Sequence, residues 1–498
     1  MKLIEASLAW IAGIAGLLYL VYAFFVLGQI GNEYLPCWTD EFMYHVHLRS
    51  FLLHNSLASP IVMNEMYSQI GKFGPHGFMY AFIDGIFTII LGLHENTAIP
   101  YINLFLTLIA IILIFISRKT KFLQKLLLSG LLITSYVPSF YLLTYMQEYV
   151  HLPLCVLAIL FLHRTYTETR NKSLYRNLFI LTVLIGSFFR INWIFWLIAL
   201  LPTQKKLSQK IAFIIVYLLV SYVAYLFFRL FNGVYPLGFL YKVTTTAQSG
   251  TIKQLLELFI SHIWYNIKTF LNPKLDANFF YFASKWLVVV FMVYYWFVGN
   301  LRQNKLYLAA SAVVFVNLAL LFIFYDAHSW REQRSLAASL YLCIGVAVLS
   351  DFKLGYALVL FINLLNSYSQ FQTLQLHIQE RRKAYENFQE NTKLREAFRN
   401  ISNYITQNHP VTILVSYSFM GDHKPYQLCF PLASQYGYPI LYSFNARDWI
   451  EIHSSKVDYV LTQVSLRDNT QHILLARTPY YCLYRVNKQI PFSLFKEY

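Results

Sequence analysis

The sequence predicts an α-helical polytopic membrane protein: a bundle of about eleven spans followed by a small water-soluble α/β domain. Three observations lead there. Of 498 residues, 57% are hydrophobic and only 13% charged, outside the range of soluble globular domains. Apolar runs recur that approach the roughly 20 residues needed to cross about 30 Å of hydrocarbon. The net charge of +16 resides mainly in Lys and Arg of the short loops between those runs. That is the positive-inside pattern, which argues against nucleic acid as the partner of this positive charge.

The first run, residues 7–28, is too long for a signal-peptide core and no small-residue cleavage site follows it, so it is expected to stay as the first span. Later runs lie at 98–117, 122–142, 149–163, 177–189, 192–203, 211–229, 283–299, 305–324, 336–350 and 354–368. The stretch 78–93 is ambiguous. If it spanned, the cluster Arg118, Lys119, Lys121 and Lys125 would face away from the cytoplasm. If it lies along the membrane, that cluster joins His163–Arg176, Lys205–Lys210, Arg302–Lys305 and Lys353 on the cytoplasmic side. The same assumption makes 177–203 enter and leave by two short helices with Arg190 at the turn. Residues 29–97, 230–282 and 326–335 then lie outside, with the tail.

The predicted division is a membrane module over 1–369 and an extracytoplasmic α/β domain over 370–498. The tail opens with a polar, heptad-like stretch, Leu376 to Asn408, expected to be helical. Strand-like runs follow at Val411–Ser416, Val457–Thr462 and Tyr480–Val486. Of five cysteines, Cys155 and Cys343 lie in apolar runs; Cys429 and Cys482 would pair only in an oxidising compartment.

Ionisable residues beside spans are costly to place and therefore informative. On this topology Asp40, Glu41, Lys72, His76, Glu148, Arg190, Arg331, Glu332 and Arg334 share the outer rim. Such a rim offers a carboxylate to take a proton from a nucleophile, and cations to neutralise a phosphate leaving group. The chemistry implied is transfer from a lipid phosphate. Plainer roles compete: Thr39 or Asp40 as a helix N-cap with Glu41 favouring the helix dipole, Glu148 as a solvated interfacial charge, Lys72 as a turn residue, and Arg331 with Arg334 as headgroup anchors. His45 and His47 stand two apart and point to different helix faces, against a metal site.

The order of features resembles the GT-C superfamily of membrane glycosyltransferases, in the group of the protein O-mannosyltransferases and the lipid A aminoarabinose transferase. The resemblance covers about residues 1–205. It runs from a first span through Trp38-Thr39-Asp40-Glu41 and a helix ending at His54-Asn55 to Lys72-Phe73-Gly74-Pro75-His76-Gly77. An aromatic helix ending at Leu91-Gly92-Leu93, a span, a basic turn and an acidic residue after the next span follow. The resemblance implies that 78–93 does not fully span. It also implies that Asp40, with Glu41 beside it, is the catalytic carboxylate and that Glu148 fills a second acidic position. Lys72 would contact the donor phosphate, with His76, Arg190, Arg331 and Arg334 as further cations. The implied donor is a polyprenyl-phosphate sugar, with inversion at the anomeric carbon.

The expected function is thus sugar transfer to a glycan or lipid acceptor on the outer face of a bacterial inner membrane. No cofactor is required, although Asp40 and Glu148 leave room for a shared divalent metal. A surface-polysaccharide polymerase or ligase would carry arginines in a large outer loop, whereas 230–282 holds few charges. A transporter or flippase would show repeated halves with broken helices, and none is visible.

Overall fold

The computed structural model describes residues 2–37, 39–58, 61–63, 73, 77–231, 238–272, 279–297, 304–324, 336–390, 413–416, 440–443, 458–462, 472–477 and 482–486. Of the eleven expected spans, 192–203 coincides with a 3-10 helix and the other ten overlap α-helices. These are α1 (Lys2–Gly28), α4 (Ala98–Ile116), α5 (Phe122–Thr134) with the short α6 (Tyr136–Tyr141), α7 (His151–Thr167), α8 (Lys172–Phe189) and α9 (Leu207–Phe231). Further along come α12 (Phe279–Phe297), α13 (Lys305–Phe324), α14 (Ala337–Leu349) and the 38-residue α15 (Lys353–Glu390). Outside this set lie α2 (Thr39–His54), α3 (Met79–Leu91), α10 (Gly238–Ser249) and α11 (Ile252–Leu271). Among the described residues, five helices are long and apolar enough to cross a bilayer and five apolar ones are shorter, which makes this a multi-pass membrane protein by length and composition.

Two short segments have a physical explanation. α3 has 13 residues, about 20 Å at ~1.5 Å per residue, short of the roughly 30 Å core. Its end is set by Gly92, whose positive φ of 60° closes the last turn. Residues Ile191–Thr203 form a 3-10 helix; at ~2.0 Å per residue it reaches about 26 Å, so a stretch too short as α-helix nearly covers the hydrocarbon.

The chain forms two compact units. The first holds residues 1–29, 100–227 and 236–377, and the second 30–99, 228–235 and 378–498. In the first, α1 packs on α5 through glycines: a Cβ on Gly16 would lie 3.0 Å from the Gly130 Cα, and one on Gly130 would run into the Ala12 carbonyl. Lipid supplies no hydrophobic drive between helices, so close backbone approach and polar staples hold the bundle. Asn363 Nδ2 donates to the Leu131 carbonyl (3.2 Å) and Thr134 Oγ1 (3.0 Å). Asn103 Nδ2 donates to the carbonyls of Leu142 (3.2 Å) and Thr144 (3.0 Å). α9 is the contrast: only Tyr217 and Ser221 of its described side chains are buried, and from Ile211 to Phe228 the others are apolar or aromatic, as a lipid-facing helix requires.

Three contacts gather the basic turns at one end of this unit: Lys119 with Glu168 (3.2 Å), Lys353 with Glu5 (3.3 Å), and Gln124 Nε2 with the Val348 carbonyl (3.3 Å). Glu148 precedes α7 and Arg190 ends α8, so both lie at the opposite end.

In the second unit α2 and α3 pair through aromatic rings, Tyr44 on Tyr80 (6.0 Å) and Phe51 on Phe82 (6.1 Å), with Phe51 lying against Gly85. A six-stranded sheet accompanies them, built from β1 (Ile61–Met63), β2 (Ile413–Ser416), β3 (Ile440–Ser443), β4 (Tyr459–Thr462), β5 (His472–Arg477) and β6 (Cys482–Val486). The order is β1-β3-β2-β4-β6-β5. The first four run parallel, with Ile440 facing both Ile61 and Ile413; β6 and β5 are antiparallel. The three strands read from the sequence appear as β2, β4 and β6. β1, β3 and β5 were not read from the sequence, and β1 lies farthest from the others in the chain, because it comes from the stretch between α2 and α3 and forms the edge of the C-terminal sheet. The expected tail helix is observed to Glu390, and the rest of that stretch lies outside the described residues. Cys429 lies outside them as well.

Candidate active site

The predicted site residues fall into three groups. Lys72, His76, Arg331 and Arg334 lie outside the described residues. Asp40 is the second residue of α2, and its side chain lies outside the described ones. Glu41, Glu148 and Arg190 are placed in full.

Glu148 sits in a single 3-10 turn, Gln147–Tyr149, ahead of α7, and is 2% exposed. Arg190 follows the last residue of α8 in an extended conformation, so the break between α8 and the 3-10 helix turns it out of the helical register. Its Nη2 lies 4.0 Å from Glu148 Oε1, with the arginine side chain 18% exposed. An acid and a base from separate turns are thus neighbours. Beside them, Trp193 Nε1 donates to His151 Nδ1 at 3.0 Å. An indole N–H can only donate, so Nδ1 is the acceptor and the imidazole is neutral with its proton on Nε2. Both amide atoms of Gln147 are buried with no hydrogen-bond partner among the described residues. Leaving a buried polar group unmet costs about 1–3 kcal/mol.

Glu41 is completely buried. Its Oε1 accepts from Arg381 Nε at 3.2 Å and from Arg381 Nη2. Its Oε2 accepts from the Cys37 backbone N–H at 3.1 Å, and the Cys37 thiol lies 3.7 Å away. Burial is the largest influence on Arg381 and opposes its charge, but Glu41, Tyr34 and Cys37 together more than offset it and hold the guanidinium protonated. Burial pushes the Cys37 thiol up, and the neighbouring Glu41 and Glu380 carboxylates add to the rise against the pull of Arg381. Removing one partner of such a pair strands the other charge, at about 3–5 kcal/mol.

The rest of α2 is tied down by polar contacts. Arg49 pairs with Glu95 at 2.9 Å, and His47 Nε2 lies 2.8 Å from the Leu57 carbonyl oxygen. His45 and His47 are both buried, and burial pulls both toward the neutral form, with the Arg49 charge adding to the effect on His45. Among the described residues no three His, Cys, Asp or Glu side chains gather to hold a metal ion.

Sequence reasoning missed Arg381, His151 and Trp193. Arg381 carried one usable sign: with Leu374 and Ile378 it follows the helical spacing of a buried stripe, where an arginine needs a partner.

The order of elements defines a polytopic membrane protein in which the stretch between α2 and α3 shares a sheet with the C-terminal tail. Among solved structures this architecture matches ArnT from Cupriavidus metallidurans, a GT-C lipid A aminoarabinose transferase. The form bound to undecaprenyl phosphate aligns with a TM-score of 0.51 and 9% identity over 94% of this chain and 97% of that one. The apo form aligns with a TM-score of 0.49 and 9% identity, over 95% and 98%. At this identity the likeness is one of fold. No protein-family model matches the sequence, and no curated protein is similar to it.

Proposed function

We propose that this protein is an inverting membrane glycosyltransferase. It moves a sugar from a polyprenyl-phosphate carrier to a glycan or lipid acceptor on the outer face of the bacterial inner membrane. The observation that carries the reading is the ArnT-like fold over nearly the whole of both chains, the matched structure holding undecaprenyl phosphate.

In the proposed reaction Asp40 accepts the acceptor hydroxyl proton as the oxygen attacks the anomeric carbon from the face opposite the phosphate. The bond from that carbon to the phosphate oxygen breaks, and the polyprenyl phosphate leaves with the electron pair. Lys72, His76, Arg190, Arg331 and Arg334 supply the positive charge that stabilises it. Such charge gains strength where water is excluded. Glu148 orients Arg190 and offers a second acceptor for sugar hydroxyls.

The test is transfer of radiolabelled sugar from synthetic polyprenyl-phosphate donors, comparing wild type with Asp40→Asn at matched expression. Loss of a general base lowers the rate by about a hundredfold or more. Equal rates would remove Asp40 from that role, and no transfer from any donor would overturn the reading.

A further inference from the structure

Arg381 has no part in the transfer chemistry, yet it is a fully buried cation that reaches the helix bearing Asp40 from far along the chain. Its Nε and Nη2 both donate to Glu41 Oε1, from a residue 340 positions later in the sequence. Its backbone joins in, the Arg381 carbonyl accepting the Leu35 N–H at 3.4 Å. Cys37 N–H takes the other Glu41 oxygen. Residues 35, 37 and 41 flank Asp40, and all are held in one knot. A second link from the same loop to the same tail lies in the sheet, where Ile61–Met63 pairs with Ile440–Tyr442.

We propose that Arg381 is a positioning residue: by clamping Glu41 it fixes the first turn of α2 and hence the direction of the Asp40 side chain. This rests on the reading of Asp40 as the base and goes beyond it, because it gives the C-terminal segment a role in transfer. The first turn of a helix lacks the hydrogen bonds that hold later turns and frays most readily. Neighbouring helical residues are related by a turn of about 100°. Pinning the side chain of Glu41 therefore sets where the Asp40 Cα–Cβ bond points, with no contact to Asp40 needed. A base must come within about 2.6–3.2 Å of the proton it takes, and a misplacement of about 1 Å costs around a hundredfold in rate. Arginine suits the task because its planar fork fixes orientation, where a lysine supplies only a point charge.

The experiment uses the full chain in proteoliposomes with a synthetic polyprenyl-phosphate sugar. Arg381→Lys keeps the charge and removes the fork. The pair Glu41→Gln with Arg381→Gln removes both charges of the buried pair, leaves only the part-exposed Glu380, 3.9 Å from Arg381, without that partner, and guards against simple misfolding. Each change is expected to lower kcat about 10- to 100-fold, with the donor KM within about twofold. In an Asp40→Asn background neither should lower the residual transfer further, since a positioning residue acts through the group it positions. An unchanged kcat overturns the proposal, and so does a loss that is as large in the Asp40→Asn background.

A second readout needs no activity. With Cys155, Cys343, Cys429 and Cys482 replaced by Ser, maleimide labelling of Cys37 should quicken about tenfold in Arg381→Lys, as the segment it holds opens more often. Unchanged labelling removes the clamp itself. If wild type transfers nothing, or Asp40→Asn matches it, the glycosyltransferase reading or its base falls, and the positioning role falls with it. Faster labelling would then leave Arg381 as a structural clamp alone.

Discussion

Substituting His47 by Gln should flatten the pH dependence of α2 stability. His47 Nε2 lies 2.8 Å from the Leu57 carbonyl oxygen, which can only accept, so Nε2 carries the proton. Burial pushes the His47 pKa from its ordinary 6.5 down to about 4, so the ring is neutral in the folded protein. When α2 opens, the imidazole meets water and titrates near 6.5. Between these values the open state binds more protons than the closed one, so stability rises with pH in that window. It is complete above about 6.5 and is lost as pH falls toward about 4. For this single group the loss is roughly 2 kcal/mol from pH 7 to pH 5, and roughly 3 kcal/mol to pH 4. Gln keeps an N–H donor for Leu57 and removes the titration. His45 is present in both proteins and cancels in the comparison. Amide hydrogen exchange of residues 44–54 at pH 7 and pH 5, corrected for intrinsic rates, gives the opening free energies. Parallel pH slopes in the two proteins would refute the reasoning.

Two other substitutions probe the membrane unit. Gly130→Leu drives a side chain into the Ala12 backbone and should destabilise the α1–α5 pair by about 1–3 kcal/mol; thermal unfolding in detergent measures it, and an unchanged midpoint would contradict the close approach. Trp193→Phe removes the donor to His151 Nδ1 and should cost about 1–3 kcal/mol. Nitrogen-15 spectra of His151 should then lose the fixed Nε2–H form, whereas an unaltered tautomer would show that another group sets it.

Much of the architecture was legible because the bilayer imposes a simple demand: a spanning segment must satisfy its own backbone and present apolar side chains to lipid. Runs such as 98–117 and 305–324 therefore read directly as helices. The break at Arg190 was legible as well, since the positive-inside assignment required 177–203 to enter and leave by two short helices. Pairing Glu148 with Arg190 followed only as far as topology, which put both on one rim; their contact at 4.0 Å is a matter of tertiary placement.

What the sequence by itself determined is the class of protein, and the helices and their order. These follow from local composition and period, which each segment carries within itself. Tertiary structure alone decided that Ile61–Met63 forms the edge of a sheet made otherwise by the last hundred residues, and that Arg381 meets Glu41. Neither has a local cause. A three-residue strand exists only through its partner's hydrogen bonds, and a buried ion pair is defined by two residues that no periodicity connects. Desolvation makes such a pair costly to break, so the contact least visible in the sequence holds the turn that carries Asp40.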